Sequence, residues 1–198
     1  MRLLAIDTAT PRPSLAVVPG AQDPRTAELP RQGAEVLASA VAELLSRAGL
    51  SPRDLDRIGV VAGPGSFTGL RSSLAFARGL ARATGALLVP VPTFEAASEA
   101  IPGPPDVDFL LDALRGEVHR CRRRGGRLEA SGTRLARETA LLEAARDGVP
   151  AIDLGDREEP LAPAAAALAA RASGSDPALL SYGRPPAAEE RFGPGEAG

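Results

Sequence analysis

Gly63-Pro64-Gly65-Ser66-Phe67-Thr68-Gly69-Leu70-Arg71 is the stretch on which the fold turns. It joins a run with the character of a buried strand, Ile58 to Ala62, to a helical pattern from Thr68 to Thr84. Its glycines and proline permit a tight turn and close backbone approach. Ser66 and Thr68 are both suited to cap the helix that follows. Amides at such a helix start form a positive pocket fit for phosphate, and Arg71 stands one turn further in. Two readings stay open here: a phosphate cradle, or a tight strand-to-helix connection with no ligand.

Working upstream, Leu3 to Ile6 is a short apolar run ending in Asp7, and Ser14 to Val18 is a second. Turn residues Thr8 to Pro13 between them predict a hairpin with a polar tip. A short third strand is expected around Ala27 to Leu29. Gly33 to Ala48 is the clearest helix, with Val36, Leu37, Ala40, Val41, Leu44 and Leu45 on one face and Gly49 as its stop. Ser51 and Pro52 open a further short turn of helix.

Downstream, Leu87 to Val91 reads as a strand, and Thr93 is placed to cap a helix reaching Ala100. Pro102-Gly103-Pro104-Pro105 suits neither helix nor strand and divides the chain into segments 1–101 and 102–198. The second segment repeats the style of the first. Strands are predicted at Val107 to Leu111, Glu117 to Arg123, Arg127 to Ala130 and Ala151 to Leu154, with a hairpin across Gly125-Gly126. Helices are predicted at Glu138 to Arg146 and Pro163 to Ala172, and from Gly183 a Pro- and Gly-rich tail expected to fray. This order predicts an α/β protein of the actin-like (ribonuclease-H-like) kind, two-lobed, with a degenerate second lobe.

Composition removes several chemistries. The sequence has no lysine, so a Walker phosphate loop and a Schiff-base mechanism are both excluded. The net charge of -2 argues against a protein that coats nucleic acid. Cys121 is the only cysteine, so no disulfide forms within the chain, and the start is too short an apolar run for a signal peptide. A soluble cytoplasmic protein with no membrane association is expected.

The string from Gly63 to Arg71, followed by Ala77-Arg78-Gly79-Leu80-Ala81, resembles the signature of the TsaB (YeaZ) family. Leu4 to Thr10, Leu50 to Ile58 and Asp112 to Val118 are similar to other segments of that family, and Pro185 to Glu189 faintly so. The sequence departs from the family pattern at Gln32 to Glu35, where His-Ser-Glu is common, and at Ser72-Ser73, where Ile-Gly is expected. The resemblance implies a subunit without catalysis of its own in the machinery that makes threonylcarbamoyladenosine in tRNA. It implies pairing with a TsaD-like catalytic subunit, which transfers the threonylcarbamoyl group to adenosine 37. A TsaE-like ATPase joins that assembly, self-association uses the same helical face, and tRNA is met mainly through the complex. The implied partner face comprises Val36, Leu37, Ala40, Val41, Leu44, Leu74, Ala75, Arg78 and Gly79.

The resemblance also implies a vestigial nucleotide or phosphate site at Asp7, Thr8, Thr10, Gly63, Gly65, Ser66, Thr68, Gly69 and Arg71. ATP or ADP with magnesium would be held there only in the complex. In actin-like enzymes an aspartate at the position of Asp7 positions metal and phosphate; otherwise its carboxylate would bond the amides of its own turn. No catalytic residue is assigned. The alternative function is a stand-alone actin-like ATPase or phosphotransferase, motivated by Asp7 and the glycine loop. A metallopeptidase ranks third, because His119 and Cys121, on one face of a strand, are too few for a metal site. Arg120, Arg122, Arg123, Arg124 and Arg127 form the densest basic cluster, read as a solvated hairpin in preference to a tRNA contact, since no aromatic residues interleave with them.

Overall fold

The computed structural model describes residues 1–21, 23–30, 33–129, 132–157 and 159–173. The C-terminal tail with Pro185 to Glu189, Gln32 of the Gln32 to Glu35 departure, and Ala130 of the predicted strand Arg127 to Ala130 lie outside them. In chain order the strands are β1 (Arg2–Asp7), β2 (Ser14–Pro19), β3 (Arg25–Glu28), β4 (Arg57–Val61), β5 (Leu87–Val91), β6 (Val107–Asp112), β7 (Glu117–Arg124), β8 (Arg127–Leu128), β9 (Thr133–Ala136) and β10 (Ala151–Asp153). The α-helices are α1 (Gly33–Arg47), α2 (Phe67–Thr84), α3 (Thr93–Ala100), α4 (Arg137–Arg146) and α5 (Ala162–Arg171). Among the described residues no helix is long and apolar enough to cross a membrane.

The first sheet runs in the order β3-β2-β1-β4-β5. β1 to β3 are an antiparallel meander, and β4 and β5 add in parallel beside β1. That is the ribonuclease-H-like order expected from the sequence. The second sheet runs β10-β6-β7-β8, with β9 also on β7. It repeats the first pattern, with β6, β7, the β8/β9 pair and β10 standing for strands one to four, and among the described residues has no counterpart of β5. The β8/β9 split explains a missed element: β8 pairs with Arg123 and Arg124, while β9 pairs with Glu117 to Arg120, so two short strands share one edge. β3 is also displaced from its predicted place, lying at Arg25–Glu28.

Two apolar layers flank the first sheet. Leu4, Ile6, Leu15, Val17, Ile58 and Val60 point to one side and pack with Leu37, Val41, Leu44 and Leu45 of α1 and Leu74 and Ala77 of α2. Leu3, Ala5, Ala16 and Val61 point to the other and share a core with Phe94, Ala96 and Ala97 of α3, Ala162, Ala165 and Ala169 of α5, and Phe109, Leu111 and Cys121 of the second sheet. The alternation along β1 thus feeds two different layers. α5 lies on the first sheet, against β1, β2, β4 and β5. Its alanines permit that approach: a Cβ on Gly59 would sit 2.9 Å from the Ala169 Cβ. A division at residue 101 therefore cuts through one continuous core.

Candidate functional site

The C-terminal end of β1 in an open α/β sheet is where ligands usually bind. Asp7 ends β1 there and is fully buried. Its Oδ1 accepts from the amides of Ala9 (2.9 Å) and Thr10 (3.2 Å), and its Oδ2 accepts from the Thr10 hydroxyl (2.5 Å). Its oxygens are thus spent on its own turn. Burial pushes the Asp7 carboxyl above its ordinary range, opposed by the Thr10 hydroxyl, the Arg157 guanidinium and the two amides.

The glycine loop closes over that turn. The Ser66 amide donates to the Ala9 carbonyl at 2.7 Å, and the Thr8 hydroxyl donates to the Gly69 carbonyl at 2.7 Å. A Cβ on Gly65 would lie 2.4 Å from the Ala9 oxygen, and one on Gly69 1.8 Å from the Thr8 oxygen. These glycines exist for backbone on backbone. Ser66 caps α2, its Oγ accepting from the Gly69 amide at 3.2 Å. Gly63 has φ 109°, and its carbonyl accepts from the Thr93 amide at 2.9 Å. Asp7, Thr8, Thr10, Gly63, Gly65, Ser66 and Gly69 are therefore brought together as one knot of chain.

Three sequence expectations are corrected here. Thr68 is not a cap; it is an exposed residue inside α2, because the helix begins at Phe67. Arg71 does not face the loop; its guanidinium lies over the Phe67 ring, 5.3 Å from the centroid. Thr93 does not cap α3 either: Pro92 holds that position, and the Thr93 hydroxyl donates to the Pro64 carbonyl at 2.6 Å.

Sequence reasoning missed Arg157. Its side chain is 1% exposed, with Nη2 3.0 Å from the Thr10 hydroxyl and 3.8 Å from Asp7 Oδ2. Nε donates to the Leu154 carbonyl at 3.1 Å, and Nη1 donates to that of Glu159. No local pattern marks such an arginine, since Thr10 stands 147 positions away along the chain. With Asp7 held by three bonds from its own turn, Gly65 covered by Ala9, Gly69 covered by Thr8, and Arg157 inserted, these residues do not fit a nucleotide with its magnesium in the arrangement described.

The helical face divides by burial. Leu37, Val41, Leu44 and Leu74 are at most 4% exposed, committed to the sheet beneath and out of reach of a partner. Val36, Ala75, Arg78 and Gly79 are exposed, and Ala40 is half-buried. Phe67, at the start of α2, is exposed as well. What α1 and α2 present outward is thus a narrower strip of small residues than their periodicity implies.

Of the arginine cluster, Arg122 and Arg123 are buried, Arg120 is half-buried, and Arg124 and Arg127 are exposed. Arg122 pairs with buried Asp108 through Nε (2.6 Å) and Nη2 (2.7 Å), and with Asp147 through Nη1 (2.5 Å). Arg123 donates to the carbonyls of Ser98, Ile101 and Pro104. Arg120 bonds Glu143 at 2.6 Å, and Arg124 bonds Glu129 at 3.0 Å. His119 is half-buried, and burial together with Arg134 lowers its pKa. Burial pushes the Cys121 thiol up to about 11. Among the described residues no three of His, Cys, Asp and Glu come together as a metal site.

Residues 24–174 match the family described as TsaD, tRNA N6-adenosine threonylcarbamoyltransferase. The tRNA threonylcarbamoyladenosine biosynthesis protein TsaB of Escherichia coli K12 is 32% identical over 123 residues, 60% of this chain and 53% of that protein. The TsaB of Haemophilus influenzae is 29% identical over 60% of this chain and 52% of its own. The match thus spans about half the length of these curated relatives. A Pseudomonas aeruginosa structure, described as an uncharacterized protein with similarity to peptidase YEAZ, superposes with a TM-score of 0.61 at 30% identity, covering 68% of this chain and 66% of that one. The chain belongs to the family so matched, among the relatives named TsaB and YeaZ.

Proposed function

From that membership we infer a subunit of the machinery that forms threonylcarbamoyladenosine in tRNA, pairing with a TsaD-like catalytic subunit and doing no transfer chemistry itself. The observation that carries this reading is the knot at the end of β1. A transferase or an ATPase needs room and free ligands there. Here Asp7 is held by its own turn, and the glycines of the loop face Thr8 and Ala9. The relatives named TsaB support the pathway.

The surface proposed for the partner is the outward strip of α1 and α2, with Val36, Ala75 and Gly79 at its centre and Arg78 beside them. Small side chains let a second helix approach closely, while the buried face beneath keeps both helices rigid. A second copy of the chain would compete for the same strip, and a TsaE-like ATPase would join the pair. In this reading tRNA is met through the assembled complex.

The test is reconstitution. The purified chain is mixed with the TsaD-like subunit and the TsaE-like ATPase of its own organism, and modification of adenosine 37 is measured with each protein left out in turn. Modification that requires this chain, together with a complex on size exclusion, supports the reading. A TsaD-like subunit that is fully active without it, or no complex, overturns it.

A further inference from the structure

The polar groups at the mouth of β1 form a bridge between the two segments of the chain. Asp7, Thr10, Arg12 and Ser14 belong to the β1–β2 hairpin. Arg157 and Ala162 belong to the stretch from the end of β10 to the start of α5. Arg157 Nη2 reaches the Thr10 hydroxyl (3.0 Å) and lies 3.8 Å from Asp7. Arg12 Nη1 donates to the Arg157 carbonyl at 3.1 Å. The Ala162 amide donates to the Ser14 hydroxyl at 3.3 Å. Asp7, Ser14 and Arg157 are all buried, and Arg12 is half-buried at the rim.

We infer that Arg157 is an internal cation that takes, against Asp7, the place of a ligand's positive charge, and so holds the two segments closed without any nucleotide or metal. The polar groups facing the Asp7 carboxylate are donors: two amides, a hydroxyl and the guanidinium. Arg157 in turn is 3.8 Å from Asp7 and otherwise donates to neutral oxygens; Asp7 is the largest favourable charge it meets, with Glu159 adding to it and Arg12 opposing it. A buried pair of this kind adds little net stability over an apolar pair, but losing one member strands the other. Its effect is therefore to fix one arrangement of the segments. These contacts are internal to the chain, and closure by them does not depend on the partner proposed above.

The experiment is a thermodynamic cycle on the full chain with Asp7→Asn, Arg157→Met and the double variant, read by urea unfolding, with calorimetry of the unmodified chain against magnesium-ATP. Each single variant is expected to shift the folding equilibrium toward the unfolded chain, and the double to lose less than the product of the two, a coupling of about tenfold or more. No heat of binding is expected from magnesium-ATP. Additive single effects overturn the inference, and so does micromolar nucleotide binding. If Arg157→Met does not fold, Arg157→Lys replaces it in the cycle. Lysine keeps the charge, so Asp7→Asn must then cost as much in that background as in the parent; a markedly smaller cost overturns the inference.

Discussion

Gly69 shows most directly what single residues decide here. Any side chain at that position drives a Cβ to 1.8 Å from the Thr8 carbonyl oxygen, and backbone cannot step aside as a long side chain can. Gly69→Ala is expected to cost about 3 kcal/mol or more. Gly79, further along the same helix, has open space where a methyl would go, with nothing within 4 Å, and Gly79→Ala should add about 0.5 to 1 kcal/mol. Urea unfolding of the two variants checks both signs. Arg122 sets the titration of Asp147, at the C-terminal end of α4. It holds the Asp147 carboxyl below its ordinary value by hydrogen bond and charge. A depressed folded-state value gives stability that is complete above pH about 4 and is lost as pH falls through that lowered value. Asp147→Asn should therefore lower the urea midpoint at pH 7 and converge with the parent in strong acid. The Asp7 turn was legible in the sequence because its donors are two and three residues away. Arg157 was not, because its meaning lies in a contact that only the complete fold creates.

At the scale of elements, periodicity located α1, α2, β1, β4 and β5 and failed where it had too little length to work with. β9, the strand it missed, has four residues. Periodicity also overstated the partner surface, since one apolar stripe does not say how much of itself the sheet will cover. Leu37, Val41, Leu44 and Leu74 went to the core, and Val36, Ala75 and Gly79 remained outside. Ala75→Arg places a long charged side chain on that exposed strip. It is expected to leave the unfolding midpoint nearly unchanged and to abolish the complex with the TsaD-like subunit, read by size exclusion. A second element went unrecognised for a different reason. The turn between β6 and β7 carries Leu114 (φ 65°) and Arg115 (φ 56°) in the left-handed region, a conformation that sequence rules reserve for glycine and asparagine. Leu114 is also 68% exposed. Leu114→Gly should relieve roughly 1 kcal/mol of backbone strain, measurable as a higher urea midpoint.

For the whole molecule, the decisive observation is the shared core between the sheets. Segment 1–101 contains the complete first sheet, yet Leu3, Ala5 and Ala16 lose part of their cover without α5 and the second sheet. A fragment ending at residue 101 is expected to lack dispersed amide signals by nuclear magnetic resonance, while residues 1–173 retain them. The sequence made the repeat visible, because its strands and helices recur in the same order. It concealed the exchange in which a helix of the second repeat roofs the first, since an alanine-rich stripe suits either sheet equally well. That placement has a bearing on synthesis. β5 ends at Val91 and α5 begins only at Ala162, so the first sheet leaves the ribosome with one face bare. At cellular translation rates the missing helix follows after roughly 4 to 14 seconds. During that interval the nascent chain exposes Leu3, Ala5 and Val61 to its surroundings, and the burden of keeping it from aggregating falls on whatever meets it at the exit tunnel.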